Sequence, residues 1–191
     1  MRFLYLFLLL PILSCQTPVT YDIVLQNTTI YDGSGEVPYL GDIGINADTI
    51  AAIGKPNSLN GKNIVALDEL ATAPGFINML SWANVALLED GRSQSDIRQG
   101  VTLEVMGEGS SMGPLTEEMK AAMKEGQVDI NFDIPWTTLG EYLTYLEQKG
   151  VSPNIASFVG NGTLRQHVIG FENRPATQSE LEQIKQFGRV N

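Results

Sequence analysis

The turn Ala73-Pro74-Gly75 constrains the fold more than any other feature, because the pattern of the chain changes there. Before it, apolar residues alternate over short runs and no helical period appears. After it, short apolar runs are separated by stretches with helical spacing. A chain that switches period at a Pro-Gly turn is neither one sheet nor one bundle. It reads as a small all-β domain over residues 20–73 followed by βα units over 74–191, an α/β chain overall. The apolar run 73–77 leaving the turn reads as a short buried strand.

Within the β part, residues 21–27 predict one strand and 28–31 a second after a short turn. Asp32-Gly33-Ser34-Gly35 is a turn cluster whose glycines allow positive φ. Runs 40–45 and 49–54 alternate and are joined by Asn46-Ala47-Asp48, a hairpin-like connection, and 63–67 is one more short strand. Short strands at this spacing predict a β-sandwich rather than a parallel sheet. Beyond Pro74, residues 82–89 fit a loop or a short helix. Asp96-Ile97-Arg98-Gln99 leads into Gly100 as a helix end, and 101–106 reads as a strand. Helical spacing covers 115–124 and 138–149, the latter with Gly150 as C-terminal cap, and 154–159 is a third β-rich run. Thr177 and Glu180 are spaced as a capping box for a helix over 177–186, which residues 187–191 break.

The formal net charge of -10, with no run of Lys or Arg, argues against nucleic acid or an anionic membrane surface as partner. Residues 1–15 stand apart from the fold as a signal segment. Arg2 precedes an apolar run over 3–13 that is too short to span a bilayer. Ile12-Leu13-Ser14-Cys15 resembles the bacterial lipobox, in which the cysteine after the cleavage point carries lipid. A plain secretory signal with an incidental cysteine is the alternative. The chain has a single Cys, so no disulfide forms inside it. The lipobox reading makes Cys15 the lipidated residue and places the protein outside the cytoplasm, anchored at the bacterial cell envelope.

The run Ala73-Pro74-Gly75-Phe76-Ile77-Asn78-Met79-Leu80-Ser81-Trp82 resembles the first barrel strand of the amidohydrolase superfamily, Pro-Gly-Phe-Ile-Asp-x-His-x-His. Four further blocks are similar to the N-acyl-D-amino-acid deacylase (D-aminoacylase) branch. They are Asp22-Ile23-Val24-Leu25 through Gly35, Asp42-Ile43-Gly44-Ile45 through Gly54, Gln99-Gly100-Val101-Thr102 through Leu115, and Gly160-Asn161-Gly162-Thr163-Leu164-Arg165. The resemblance implies a β-sandwich before the first βα units of an incomplete TIM-like (β/α) barrel. It further implies hydrolysis of non-peptide amide C–N bonds in a small N-acyl amino acid or similar amide. In such a site a divalent metal, zinc above all, activates water and polarises the carbonyl.

Against that pattern the chain departs at the ligands. Leu80 and Trp82 occupy the two histidine positions and Asn78 the aspartate position; neither Leu nor Trp offers a lone pair to a metal. Glu108 falls at the position of the branch's cysteine ligand when Gly109 and Pro114 are aligned, and a carboxylate is a legitimate zinc ligand. A surface loop glutamate is the plainer alternative. Asn161 stands at a histidine position of a Gly-x-Gly turn and reads as support for that turn. Arg165 suits a substrate carboxylate or a structural salt bridge. His167, the one histidine, has no partner in the pattern, and Glu89 and Asp90 read as a solvated turn. Fewer than the eight strands of a barrel are present, so the chain is expected to be a truncated product or a fragment. Two readings follow: the N-terminal part of an exported, metal-dependent deacylase, or a catalytically inactive lipoprotein that keeps the scaffold.

Overall fold

The computed structural model describes residues 19–190, with the side chain of the last residue left aside. The signal segment 1–15 and its lipidation residue Cys15 lie outside the described residues. The chain divides into two compact units, one ending at Pro74 and one beginning at Gly75.

The first unit contains β1 (Thr20–Ile30), β2 (Tyr39–Asn46), β3 (Thr49–Gly54), β4 (Asn60–Ala66) and β5 (Ala71–Thr72). They form one five-stranded sheet in the order β3-β2-β1-β4, with β5 also beside β1. The expected sandwich is therefore corrected to a single mixed sheet among the described residues. The cause is the long-range pairing of β1, antiparallel to β2 and parallel to both β4 and β5, which together with β3 on β2 joins every strand in one sheet.

β1 also runs straight through the turn expected near residue 27. Asn27 takes a left-handed φ of 56° and the pairing register slips between Leu25 and Thr28, a bulge that absorbs the extra residue without ending the strand. Asp42 on β2 ties this bulge to the loop before β4. Its carboxylate is fully buried and accepts four backbone N–H groups, from Asn27 (2.9 Å), Asn57 (3.0 Å), Ser58 (2.8 Å) and Leu59 (3.1 Å). Burial disfavours the ionised form, but the donors from Asn27, Leu59, Asn57 and Ser58 outweigh it and hold the carboxyl below the usual aspartate range.

The second unit has a parallel sheet, β6 (Phe76–Asn78), β7 (Val101–Met106) and β8 (Asn154–Ser157), in that order. Its helices are α1 (Ala86–Glu89), α2 (Gln94–Ile97), α3 (Glu117–Glu125), α4 (Leu139–Lys149), α5 (Asn161–Ile169) and α6 (Gln178–Val190). Gly75 admits the chain to β6, because a Cβ there would stand 2.1 Å from Thr102 Oγ1. β6 is shorter than expected and not buried: Phe76 is 64% and Ile77 56% exposed. It is an edge strand, with β7 on one side only among the described residues.

The core of this unit lies between β7 and the helices, where Met106, Leu115, Met119, Trp136, Tyr142 and Leu146 are buried together. Trp136 Nε1 donates to Met112 O at 2.8 Å, and its ring meets Tyr142 at 5.1 Å. α4 starts from a complete capping box of Thr138 and Glu141. Thr177 and Glu180 form the reciprocal pair at the start of α6, with Thr177 N–H on Glu180 Oε2 at 2.7 Å and Glu180 N–H on Thr177 Oγ1 at 3.3 Å. α6 does not break at Phe187; it continues through Gly188, which α5 packs closely through Leu164. The segment from Gly160 is likewise not a turn but the N-terminal cap and first residues of α5. No helix among the described residues is long and apolar enough to cross a membrane.

Candidate functional site

Parallel strands followed by helices gather their loops at the C-terminal strand ends, and that is where this chain brings its candidate residues together. Leu80, Trp82 and Glu108 line one depression of about 10 Å³ with Ser81, Asn84 and Ser110, room for about one water molecule. Gly107 makes the exit from β7: its φ is +82°, and a Cβ there would stand 2.2 Å from Phe158 O. Asn78 accepts the N–H of Leu80 at 3.2 Å, so it closes the turn after β6. Leu80 is 53% and Trp82 77% exposed, so both side chains lie at the surface of the unit.

A divalent metal does not fit the residues present. Leu80 and Trp82 carry no donor, and Glu108 stands at the depression without companions. Among the described residues no three His, Cys, Asp or Glu side chains come together to hold an ion.

The buried carboxyl that organises the site escaped the sequence reading. Glu104 on β7 is fully buried; Ser81 Oγ donates to its Oε2 at 2.6 Å and Ser93 Oγ to its Oε1 at 2.7 Å. One side chain thereby ties the segment after β6 to the start of α2. The only sequence signal was an acidic residue inside the apolar run Val101-Thr102-Leu103-Glu104-Val105-Met106. Tyr142 sits nearby and donates its hydroxyl to Asn84 O at 2.8 Å. Burial, and behind it the charge of Glu104, push the Tyr142 hydroxyl far above the usual tyrosine range. Ser81 is 6% and Glu104 0% exposed, and the Ser81 hydroxyl is spent on the Glu104 carboxylate, so this pair positions the loop.

The remaining candidates lie apart from the depression. Asn161 is the exposed first residue of α5. The Arg165 guanidinium donates to the carbonyls of Glu172 (2.8 Å) and Arg174 (2.7 Å), which commits it to the loop after α5. His167 packs its ring on Phe187 with centroids 4.5 Å apart, and its Nδ1 is buried with no hydrogen-bond partner. Glu89 is exposed, and Asp90 closes its turn on Arg92, whose hydrogen bonds bring the Asp90 carboxyl down to about 2.

No family model matches the chain. It is 31% identical over 166 residues to the D-aminoacylase of Alcaligenes xylosoxydans xylosoxydans, a match that covers 86% of this chain and 34% of that enzyme. A solved D-aminoacylase with a binuclear metal center superposes with a TM-score of 0.76 at 26% identity, over 88% of this chain and 35% of the other. The fold is shared as well by N-acyl-D-glutamate deacylase from Bordetella bronchiseptica, solved with zinc and a phosphonate inhibitor, at a TM-score of 0.73 and 23% identity, over 88% of this chain and 35% of that one. The chain spans about a third of the length of the curated relatives it matches, 34% of the D-aminoacylase. Sequence and fold together make it a relative of the D-aminoacylases of the amidohydrolase superfamily, corresponding to the N-terminal part of those enzymes.

Proposed function

We propose that the protein containing this chain is an amidohydrolase of the deacylase type, acting on an N-acyl amino acid or a similar small amide. In this reading the chain supplies the small β unit and the first three strands of a (β/α) barrel. The observation that carries it is the likeness to D-aminoacylase in both sequence and fold over more than four fifths of the chain, 86% and 88%. Any divalent metal in the complete site takes its ligands from residues other than those at positions 80 and 82.

The test is an assay of the whole product of the gene, purified after growth with added zinc, on N-acetyl-D-leucine and N-acetyl-D-glutamate. Release of free amino acid above the blank is the expected result. A folded, zinc-supplemented protein that releases none overturns the reading. The chemistry of Leu80 and Trp82 favours the second reading in that event, a catalytically silent scaffold. In either case Cys15 is the proposed lipid attachment, which places the protein at the bacterial cell envelope. Cys15→Ala is then expected to move the protein from the membrane fraction to the soluble fraction, and a variant that stays with the membrane removes the anchor.

A further inference from the structure

The sheet of the first unit ends in β3 on one side and β4 on the other, and the two edges differ. β4 carries Lys62 in its middle, tied to Asp22 at 2.7 Å, and a charge there discourages a further strand. β3 holds no charged residue and no proline, and among the described residues it pairs with β2 only. Its outer row of backbone groups is therefore open to another strand. Ile50 and Ile53 on β3 are exposed, and they end two apolar rows that cross the sheet through Ile45 and Ile23 and through Ile43 and Leu25. A strand added at this edge can continue those rows.

The charges that flank β3 select its occupant. Asp48 precedes the strand and Lys55 follows it; both are exposed, and neither has an ion-pair partner among the described residues. A second β3 running antiparallel sets the Asp48 of each copy beside the Lys55 of the other, whereas a parallel one opposes like charges. A two-fold antiparallel pairing is centred on one residue, and Ala51 or Ala52 as the centre gives this match at both ends. We propose that a second copy of this chain joins here, β3 to β3, so that one sheet runs through both copies.

The test uses the purified chain with Cys15→Ala, which leaves it no cysteine of its own. Sedimentation equilibrium is expected to show reversible monomers and dimers. Asp48→Lys and Lys55→Asp should each weaken the dimer about tenfold, and the two together should restore it. Ile50→Lys, which puts a charge on the edge itself, should leave monomers only. Under oxidation Ala51→Cys or Ala52→Cys should cross-link the dimer, since directly opposed residues stand about 4.5–5.5 Å apart at Cα, within disulfide reach. A chain that stays monomeric, a dimer indifferent to the single charge changes, a double exchange no tighter than either single one, or dimers that persist in Ile50→Lys each overturns the proposal. So does a dimer that cross-links at 51 and 52 no better than at the exposed Leu181→Cys, the result expected if copies meet through another surface. The deacylase assay reads turnover and these experiments read association, so the two ideas fail separately.

Discussion

Asp42→Ala is expected to lower the stability of the N-terminal β unit by about 1–3 kcal/mol, the cost of leaving part-buried backbone donors without their carboxylate acceptor. The side chain is 0% exposed and its two oxygens accept the N–H groups of Asn57, Ser58 and Leu59, of which Ser58 also reaches Lys55 O at 3.2 Å. Removing it takes the carboxylate acceptor from those donors and from that of Asn27, in hydrogen bonds that are part-buried. Asp42→Asn keeps the volume but turns an NH2 group toward the donors, so an intermediate loss is expected. The pH dependence follows from the direction of the shift. The folded carboxyl lies below the ordinary value of 3.8, so its contribution is complete above that value and is lost as pH falls through the folded pKa. Urea titrations at neutral and acid pH, with hydrogen exchange of the 57–59 amides as the local probe, read both effects. An unchanged midpoint and unchanged protection of those amides in Asp42→Ala would show that the four hydrogen bonds contribute nothing.

What the sequence disclosed and what it hid divide along the range of the interactions involved. β7 was legible to the residue because its run Val101–Met106 is apolar and β-branched at its start, bounded by Gly100 and Gly107. α4 was legible because Thr138 and Glu141 cap it locally. α5 was missed because Gly162 and Thr163 lower its helix propensity, while the hydrogen bonds that hold its start come from across the fold: Gly162 N–H on Gly109 O at 3.0 Å and Ser111 N–H on Thr163 Oγ1 at 2.8 Å. The sandwich expectation failed for the same reason. Strand alternation says which face is apolar but not that β1 pairs in parallel with a strand beginning at Asn60.

The candidate site follows that division as well. The placement of Leu80, Trp82 and Glu108 around one depression was readable, since each sits just past a strand end that a local pattern marks. Glu104 was not, because its two serines lie 23 and 11 residues away and only the fold brings their hydroxyls to it. Asp42 is parallel to it: in the sequence it is one acidic residue beside a glycine, and its meaning lies in a loop 15 to 17 residues further on. Both carboxyls are fully buried polar groups that organise loops. The second unit thus keeps its strand-end loops in place with side-chain hydrogen bonds, whatever residues stand at positions 80 and 82.

Leu80→His combined with Trp82→His is accordingly expected to create a zinc site where the described residues hold none. The two side chains are 53% and 77% exposed, so their replacement removes little core packing. The loops that carry them stay anchored, because Ser81 remains bonded to Glu104 and Ser81 N–H to Val105 O at 3.0 Å. Two imidazoles would then face the same depression as the Glu108 carboxylate, a nitrogen and oxygen donor set that zinc accepts. After dialysis against zinc and then against buffer, the native chain should retain none and the double variant about one equivalent. Retention should be lost as the imidazoles protonate, at pH values below about 6.5. Adding Glu108→Gln to the double variant should lower the retained metal; full retention there would leave Glu108 as a loop residue and nothing more. A folded double variant that binds no zinc would mean that the ends of β6 and β7 hold these positions too far apart for one ion, and the family's ligand geometry would then have been lost from the backbone as well as from the side chains.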